Sequence, residues 1–217
     1  MILSPTRILF VGNSYTSRNQ LPQVLVDMAA AGDRPFRLEV KSIVAGGASL
    51  RRHWNAGIAR QAIASEEWDY VVLQEQSTLP LKNPQRYQDN VRLFNAEIVP
   101  RGARTVLYLT WARKAAPSTQ DAITRAVEEI AAETKALVVP VGQAWQAALQ
   151  HDPRWMLYDD DGSHPSAAGT YLAACEFFVT LFDGPHARLA APSSLKLDPA
   201  TATALAAFAM RFGRASA

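Results

Sequence analysis

Three residues far apart in the chain carry side chains that together make an activated nucleophile. Ser14 follows the run Arg7-Ile8-Leu9-Phe10-Val11-Gly12-Asn13, and Asp161 and His164 lie in Asp159-Asp160-Asp161-Gly162-Ser163-His164-Pro165. A serine hydroxyl is a weak nucleophile until a base takes its proton in step with attack. Asp161 stands three residues before His164, and Pro165 pins a helix start just behind the histidine. That spacing lets the carboxylate reach the near ring nitrogen of His164, leaving the far one free to take a proton from a serine. Taken singly, each feature is ordinary. Serine is common in turns, and aspartate is common before helices.

The elements that must position these groups alternate in type. Arg7 to Val11 is an apolar, β-forming run, and strand propensity collapses at Gly12-Asn13-Ser14. Phe36 to Val44 alternates apolar and polar residues as a second strand and ends in Ala45-Gly46-Gly47-Ala48-Ser49. Trp68 to Leu73 is a third strand, ending in Gln74-Glu75-Gln76-Ser77; Thr105 to Trp111 and Leu137 to Val139 are the fourth and fifth. Helical spacing links Leu21, Val24, Leu25 and Met28, with Pro22 in the first turn and Gly32 at the exit. Ser49 caps a helix running to about Ser65, and Asn83-Pro84 starts one that Pro100 and Gly102 stop. Further helices open at Pro117-Ser118, around Trp145, at Pro165-Ser166 and at Asp198-Pro199, with an irregular stretch from His151 to His164. The alternation predicts one three-layer α/β/α domain over residues 1–217, with a mostly parallel five-stranded sheet and a C-terminal helix at about 198–213 packed on it. In such a sheet the first three strand ends are neighbours on one rim, where ligands bind.

Composition narrows the class. The chain has 217 residues, 48% hydrophobic and 19% charged, which is globular rather than disordered. A net charge of +2, with no basic run interleaved with aromatics, argues against nucleic acid as a partner. No apolar run approaches the ~20 residues of a membrane span, and the N-terminal residues lack a signal-peptide pattern, so the expectation is a cytoplasmic protein. Cys175 is the only cysteine, which excludes an internal disulfide and zinc sites built on paired cysteines. Its apolar surroundings read as those of a buried small hydrophobe. Oligomeric state is not specified.

Together the motifs resemble those of the SGNH (GDSL-like) hydrolases, in a branch that begins with Gly-Asn-Ser in place of Gly-Asp-Ser. The resemblance spans Phe10 to about Phe178. Its most specific parts are Phe10-Val11-Gly12-Asn13-Ser14-Tyr15 and Asp161-Gly162-Ser163-His164-Pro165-Ser166. It implies a flavodoxin-like three-layer fold with Ser14 as nucleophile, His164 as general base and Asp161 orienting it. The family's glycine block falls on Gly46, with Gly47 a close second. The third block departs from the family's Gly-x-Asn-Asp: Gln74-Glu75-Gln76-Ser77 stands there, and Gln76 takes the Asn position. A glutamine amide donates the same hydrogen bond from one methylene further back. Gln74, on the same side of an extended chain, remains the alternative. The implied oxyanion donors are the Ser14 and Gly46 backbone N–H groups and the Gln76 amide.

The expected activity is hydrolysis of a carboxylic ester of a small molecule or carbohydrate through an acyl-enzyme, with no metal or organic cofactor. The same triad would serve an acyltransferase. A rival of another class is a non-catalytic flavodoxin-like binding module. That rival requires a phosphate-cradling glycine loop after strand one, where this chain has one glycine and then Asn-Ser. No Gly-x-Ser-x-Gly elbow occurs, which argues against the α/β-hydrolase fold. His53 reads as a surface or half-buried histidine and is the next candidate base. His151 and His186 read as solvated loop residues, and Asp159 and Asp160 as a solvated acidic loop. Glu75, Ser77, Trp111 and Arg113 stand near the rim.

Overall fold

The side chains of β1 (Thr6–Gly12) alternate between two separate cores, and this alternation defines the layers. The computed structural model describes residues 4–32, 36–182 and 189–215. Five strands pair in parallel in the order β2-β1-β3-β4-β5, where β2 is Leu38–Val44, β3 Tyr70–Leu73, β4 Arg104–Tyr108 and β5 Leu137–Val139. Ile8 and Phe10 join Val72 and Val106 against α2 (Leu21–Ala31), α8 (Val141–His151), α9 (Ala167–Leu181) and α10 (Pro199–Ala215). Leu9 and Val11 join Val71, Leu73 and Leu107 on the other face. That face is covered by α3 (Leu50–Ala56), α4 (Ile58–Ser65), α6 (Pro84–Ile98) and α7 (Gln120–Thr134). The fold is therefore a three-layer α/β/α sandwich with a five-stranded parallel sheet, and the apolar runs of the central strands β1, β3 and β4 are continuous because both their faces are covered.

Ile8, Leu9, Phe10 and Val11 are all fully buried. Each contributes about 1.5–3 kcal/mol by transfer from water, which together rivals the net stability of a whole domain. The strand that carries Ser14 at its end is thus the best-anchored element of the sheet. Every residue from Ala168 to Phe178 of α9 is buried, because α2 and α8 pack on it and α10 covers it from outside.

The elements depart from their sequence expectation in several places. The helix read from Ser49 to Ser65 is two, broken where Gly57 takes a left-handed φ of 79°. β2 begins at Leu38 rather than Phe36, and β3 at Tyr70 rather than Trp68. β4 ends at Tyr108, since Leu109 instead bridges Val139 O and Gly142 N, and Trp111 turns into an aromatic stack. Two single turns were not legible as periodic helices, α1 (Ser14–Ser17) and α5 (Leu79–Lys82). Pro185 and His186 lie outside the described residues. Among those described, no helix is long and apolar enough to cross a membrane.

Candidate active site

Ser14 stands where β1 gives way to α1, and buried polar groups fix the handover. A Cβ at Gly12 would lie 2.6 Å from Thr16 Oγ1 and 2.7 Å from Gln74 Oε1, so only glycine lets Gln74 approach. Gln74 Oε1 accepts from the Asn13 N–H at 2.8 Å and from Thr16 Oγ1 at 3.1 Å, while its Nε2 donates to the Glu75 carbonyl. Asn13 Oδ1 caps α1 by accepting from the Tyr15 N–H at 3.1 Å, and its Nδ2 donates to Ala48 O at 3.0 Å. His53 donates from Nε2 to the Gly12 carbonyl at 2.8 Å. It is buried rather than surface or half-buried, and burial lowers its pKa. Its ring thus holds the end of β1 and does not line the site.

Ser14 Oγ lies 2.8 Å from His164 Nε2, and His164 Nδ1 is hydrogen-bonded to Asp161 Oδ2. The other oxygen of Asp161 accepts from the backbone N–H groups of Ser163 at 2.9 Å and His164 at 2.8 Å. These bonds, the His164 ring first, hold the Asp161 carboxyl well below the usual carboxylate range. The histidine loop is pinned from several sides. Asp159 N–H donates to His164 O at 2.8 Å, Lys114 N–H to Gly162 O at 2.9 Å, and Trp111 Nε1 to Ser163 O at 2.9 Å. Tyr15 packs edge-on to the His164 ring at 5.5 Å, stacks on Trp111 at 4.8 Å, and bonds Ser163 Oγ through its hydroxyl at 2.7 Å. Trp111 in turn stacks on Trp145 at 3.9 Å. Trp111 is therefore a wall behind the histidine loop rather than a residue of the open rim.

A cavity of about 150 Å³ opens in front of the serine, lined among others by Ser14, His164, Gln76, Ser77, Gly47 and Arg113. Gln76 Oε1 accepts from the Thr78 N–H at 3.1 Å and the Thr78 hydroxyl at 3.0 Å. The clamp leaves the donor end, Nε2, without a protein partner among the described residues. Gln74, by contrast, is fully buried and spends both ends of its amide internally. Ala45 to Ala48 form a turn closed by Ala48 N–H to Ala45 O at 3.0 Å, so neither Gly46 nor Gly47 uses its N–H in that closure. Gly47, at φ 62°, lines the cavity, and Gly46 precedes it.

Glu75 points away from the cavity into the protein. Its carboxylate accepts from the Leu50 N–H at 3.0 Å, the Gln76 N–H at 2.7 Å and Asn90 Nδ2 at 2.9 Å. It thereby ties the loop carrying Gln76 to the start of α3, and burial raises its pKa against those three bonds. Asp159 pairs with Arg18 instead of standing free in a solvated loop. His151 is the last residue of α8, exposed but packed near Trp155 and Phe208. A larger hollow of about 260 Å³, between Ala112, Gln120, Trp145, Leu149 and Tyr158, contains neither a base nor an activated nucleophile. Sequence reasoning missed Tyr15, Ser163 and Thr78, whose partners only the fold brings near. An aromatic directly after the strand-end serine was the one available signal.

A protein assigned to the SGNH hydrolases from Slackia heliotrinireducens superimposes with a TM-score of 0.71 at 30% identity, over 82% of this chain and 100% of that one. The chain therefore belongs to the SGNH hydrolase family. A DUF4886 family protein from Bacteroides uniformis has a TM-score of 0.71 at 21% identity, over 96% of this chain and 94% of its own. Axe2, an acetylxylan esterase from Geobacillus stearothermophilus, shares the fold with a TM-score of 0.66 at 20% identity, over 83% and 96%. No family model and no curated protein matches the sequence.

Proposed function

We propose that the protein is a serine esterase that cleaves small acyl groups, acetyl foremost, from an alcohol or carbohydrate. The observation that carries this reading is the continuous chain from Ser14 Oγ through both His164 nitrogens to Asp161, with an unpaired amide donor on the same cavity. Neutral His164 takes the Ser14 proton at Nε2 as Oγ attacks the ester carbonyl, and Asp161 stabilises the imidazolium. The tetrahedral oxyanion forms facing the Ser14 N–H, the N–H groups of the Gly46–Gly47 turn and Gln76 Nε2. Collapse passes the proton from His164 to the leaving alcohol and leaves Ser14 acylated. A water deprotonated by His164 then releases the acid and frees Ser14. The cavity of about 150 Å³ suits an acetyl group. It is smaller than the roughly 300–1,000 Å³ of pockets that enclose drug-sized ligands.

A fluorophosphonate probe tests the reading directly. The wild-type chain is labelled at Ser14 and hydrolyses 4-nitrophenyl acetate, whereas Ser14→Ala does neither while keeping its fold. Labelling elsewhere, or turnover retained in Ser14→Ala, would remove the assignment.

A further inference from the structure

The segment behind the serine adopts a backbone that its residues do not favour. Asn19 and Gln20 are consecutive and both left-handed, at φ 50°, ψ 20° and φ 55°, ψ 47°. Asparagine tolerates this region, but a following glutamine does not visit it without strain. Such outliers persist only where surrounding contacts over-determine them, and they concentrate at functional sites.

The contacts are present, and they converge on the histidine loop. Asn19 Nδ2 donates to the Pro165 carbonyl at 3.1 Å and to Thr170 Oγ1 at 2.8 Å. Pro165 directly follows His164 and is buried, and Thr170 is buried on α9. Asn19 thus joins the peptide after the serine's turn to the peptide after the histidine. Arg18 to Asp159 and Tyr15 to Ser163 run beside it. Those two partners belong to the loop before His164, whereas only Asn19 among the three reaches the residues after it.

We infer that Asn19 is a positioning residue that sets the separation and angle of the Ser14–His164 pair. It acts through the Pro165 backbone and touches no reacting atom. The inference rests on the esterase reading above and deepens it. A purely architectural Asn19 would affect stability alone. A positioning Asn19 sets the strength of the Ser14 to His164 hydrogen bond, which only the neutral imidazole accepts. Loosening that bond favours the protonated ring and moves the acid limb of the activity profile to higher pH.

The test compares Asn19→Asp, Asn19→Gly and Thr170→Val with wild type, by thermal melting, 4-nitrophenyl acetate kinetics against pH, and fluorophosphonate labelling rate. Asn19→Asp keeps the size and the left-handed tolerance but loses both donors. Asn19→Gly keeps the backbone and removes the side chain, and Thr170→Val removes one acceptor. The expected result is a drop in kcat and in labelling rate of about 10- to 100-fold in the Asn19 variants. KM changes little, the acid limb moves to higher pH, and Thr170→Val moves in the same direction by less. If Asn19→Asp does not fold, Asn19→Gly and Thr170→Val carry the comparison. An active, labelled wild type whose folded variants keep the wild-type rate and pH profile would overturn this inference alone. An unlabelled, inactive wild type would overturn the esterase reading, and this inference with it.

Discussion

Gln74 and Gln76, two residues apart at the end of β3, spend their amides in opposite ways. Gln74 lies fully buried with its Oε1 on Asn13 N–H and Thr16 and its Nε2 on a carbonyl, while Gln76, which lines the cavity, has its Oε1 held by Thr78 and no partner on Nε2 among the described residues. One amide builds the turn that presents Ser14, and the other lines the cavity in front of Ser14 with its donor end unpaired among the described residues. The alternation of an extended chain places both on the same side, so periodicity does not separate them. The glycine at position 12, which admits Gln74 to the strand end, separates them.

Gln76→Ala therefore lowers kcat by about 10²–10³-fold with little change in KM, because the bond to an oxyanion forms mainly in the transition state. Gln74→Ala acts on stability instead. It leaves the buried Asn13 N–H and Thr16 hydroxyl unpaired, at about 1–3 kcal/mol for each such group. Steady-state kinetics and urea unfolding of both variants check this. A stable Gln74→Ala with collapsed kcat, beside a normal Gln76→Ala, would exchange the two roles.

Asp161→Asn tests the other half of the site. In the proposed mechanism the carboxylate stabilises the imidazolium and fixes the ring, so the expected loss in the variant is about 10³–10⁴-fold in kcat. It also removes the negative charge beside the ring, so the acid limb of kcat/KM moves to lower pH, opposite to the shift expected for Asn19 variants. His164→Ala is as damaging as Ser14→Ala, because the members act as one unit. A pH–rate profile for each variant decides it. An unshifted limb in Asp161→Asn would mean that the carboxylate does not act on the ring.

Much of this site is written locally in the sequence. Ser14 closes a continuous apolar run, and Asp161 and His164 share one loop at a spacing that lets carboxylate and ring meet, so both are readable from neighbours. The supporting residues are not. Tyr15 and Ser163 are separated by 148 positions, and Asn19 and Thr170 by 151, and no local pattern announces such pairs. His53 carries no sign that its partner is the Gly12 carbonyl, so a polar residue on an amphipathic helix read as outward-facing. The break at Gly57 was missed because a glycine inside a helical pattern is tolerated, and the apolar spacing resumes across it.

Acyl-chain preference follows from the cavity volume. With only about 150 Å³ in front of Ser14, a longer acyl chain extends beyond the cavity, so its added methylenes stay in water and contribute no burial. Across acetyl, butyryl and octanoyl 4-nitrophenyl esters, kcat/KM falls with chain length. A rise towards octanoyl, measured below the aggregation range of the ester, would require an apolar extension that this cavity lacks.

Glu176 makes stability depend on pH in the sense opposite to that of most carboxylates. It is fully buried on α9, neither oxygen has a hydrogen-bond partner among the described residues, and burial pushes its pKa up to about 8. An unfolded glutamate titrates near 4.3, so between about pH 4 and pH 8 the folded chain holds a proton that the unfolded chain has released. Stability falls with rising pH wherever the native state binds more protons. The contribution of Glu176 is therefore fully present at low pH and is lost as pH rises towards 8. Glu176→Gln keeps the shape and removes the ionisation, so it flattens this slope, and its melting temperature gains on wild type most at pH 8 and least at pH 5. Melting curves at pH 5, 6.5 and 8 for both proteins measure the difference. A constant offset across that range would show that Glu176 stays charged in the folded chain, with a partner that compensates it.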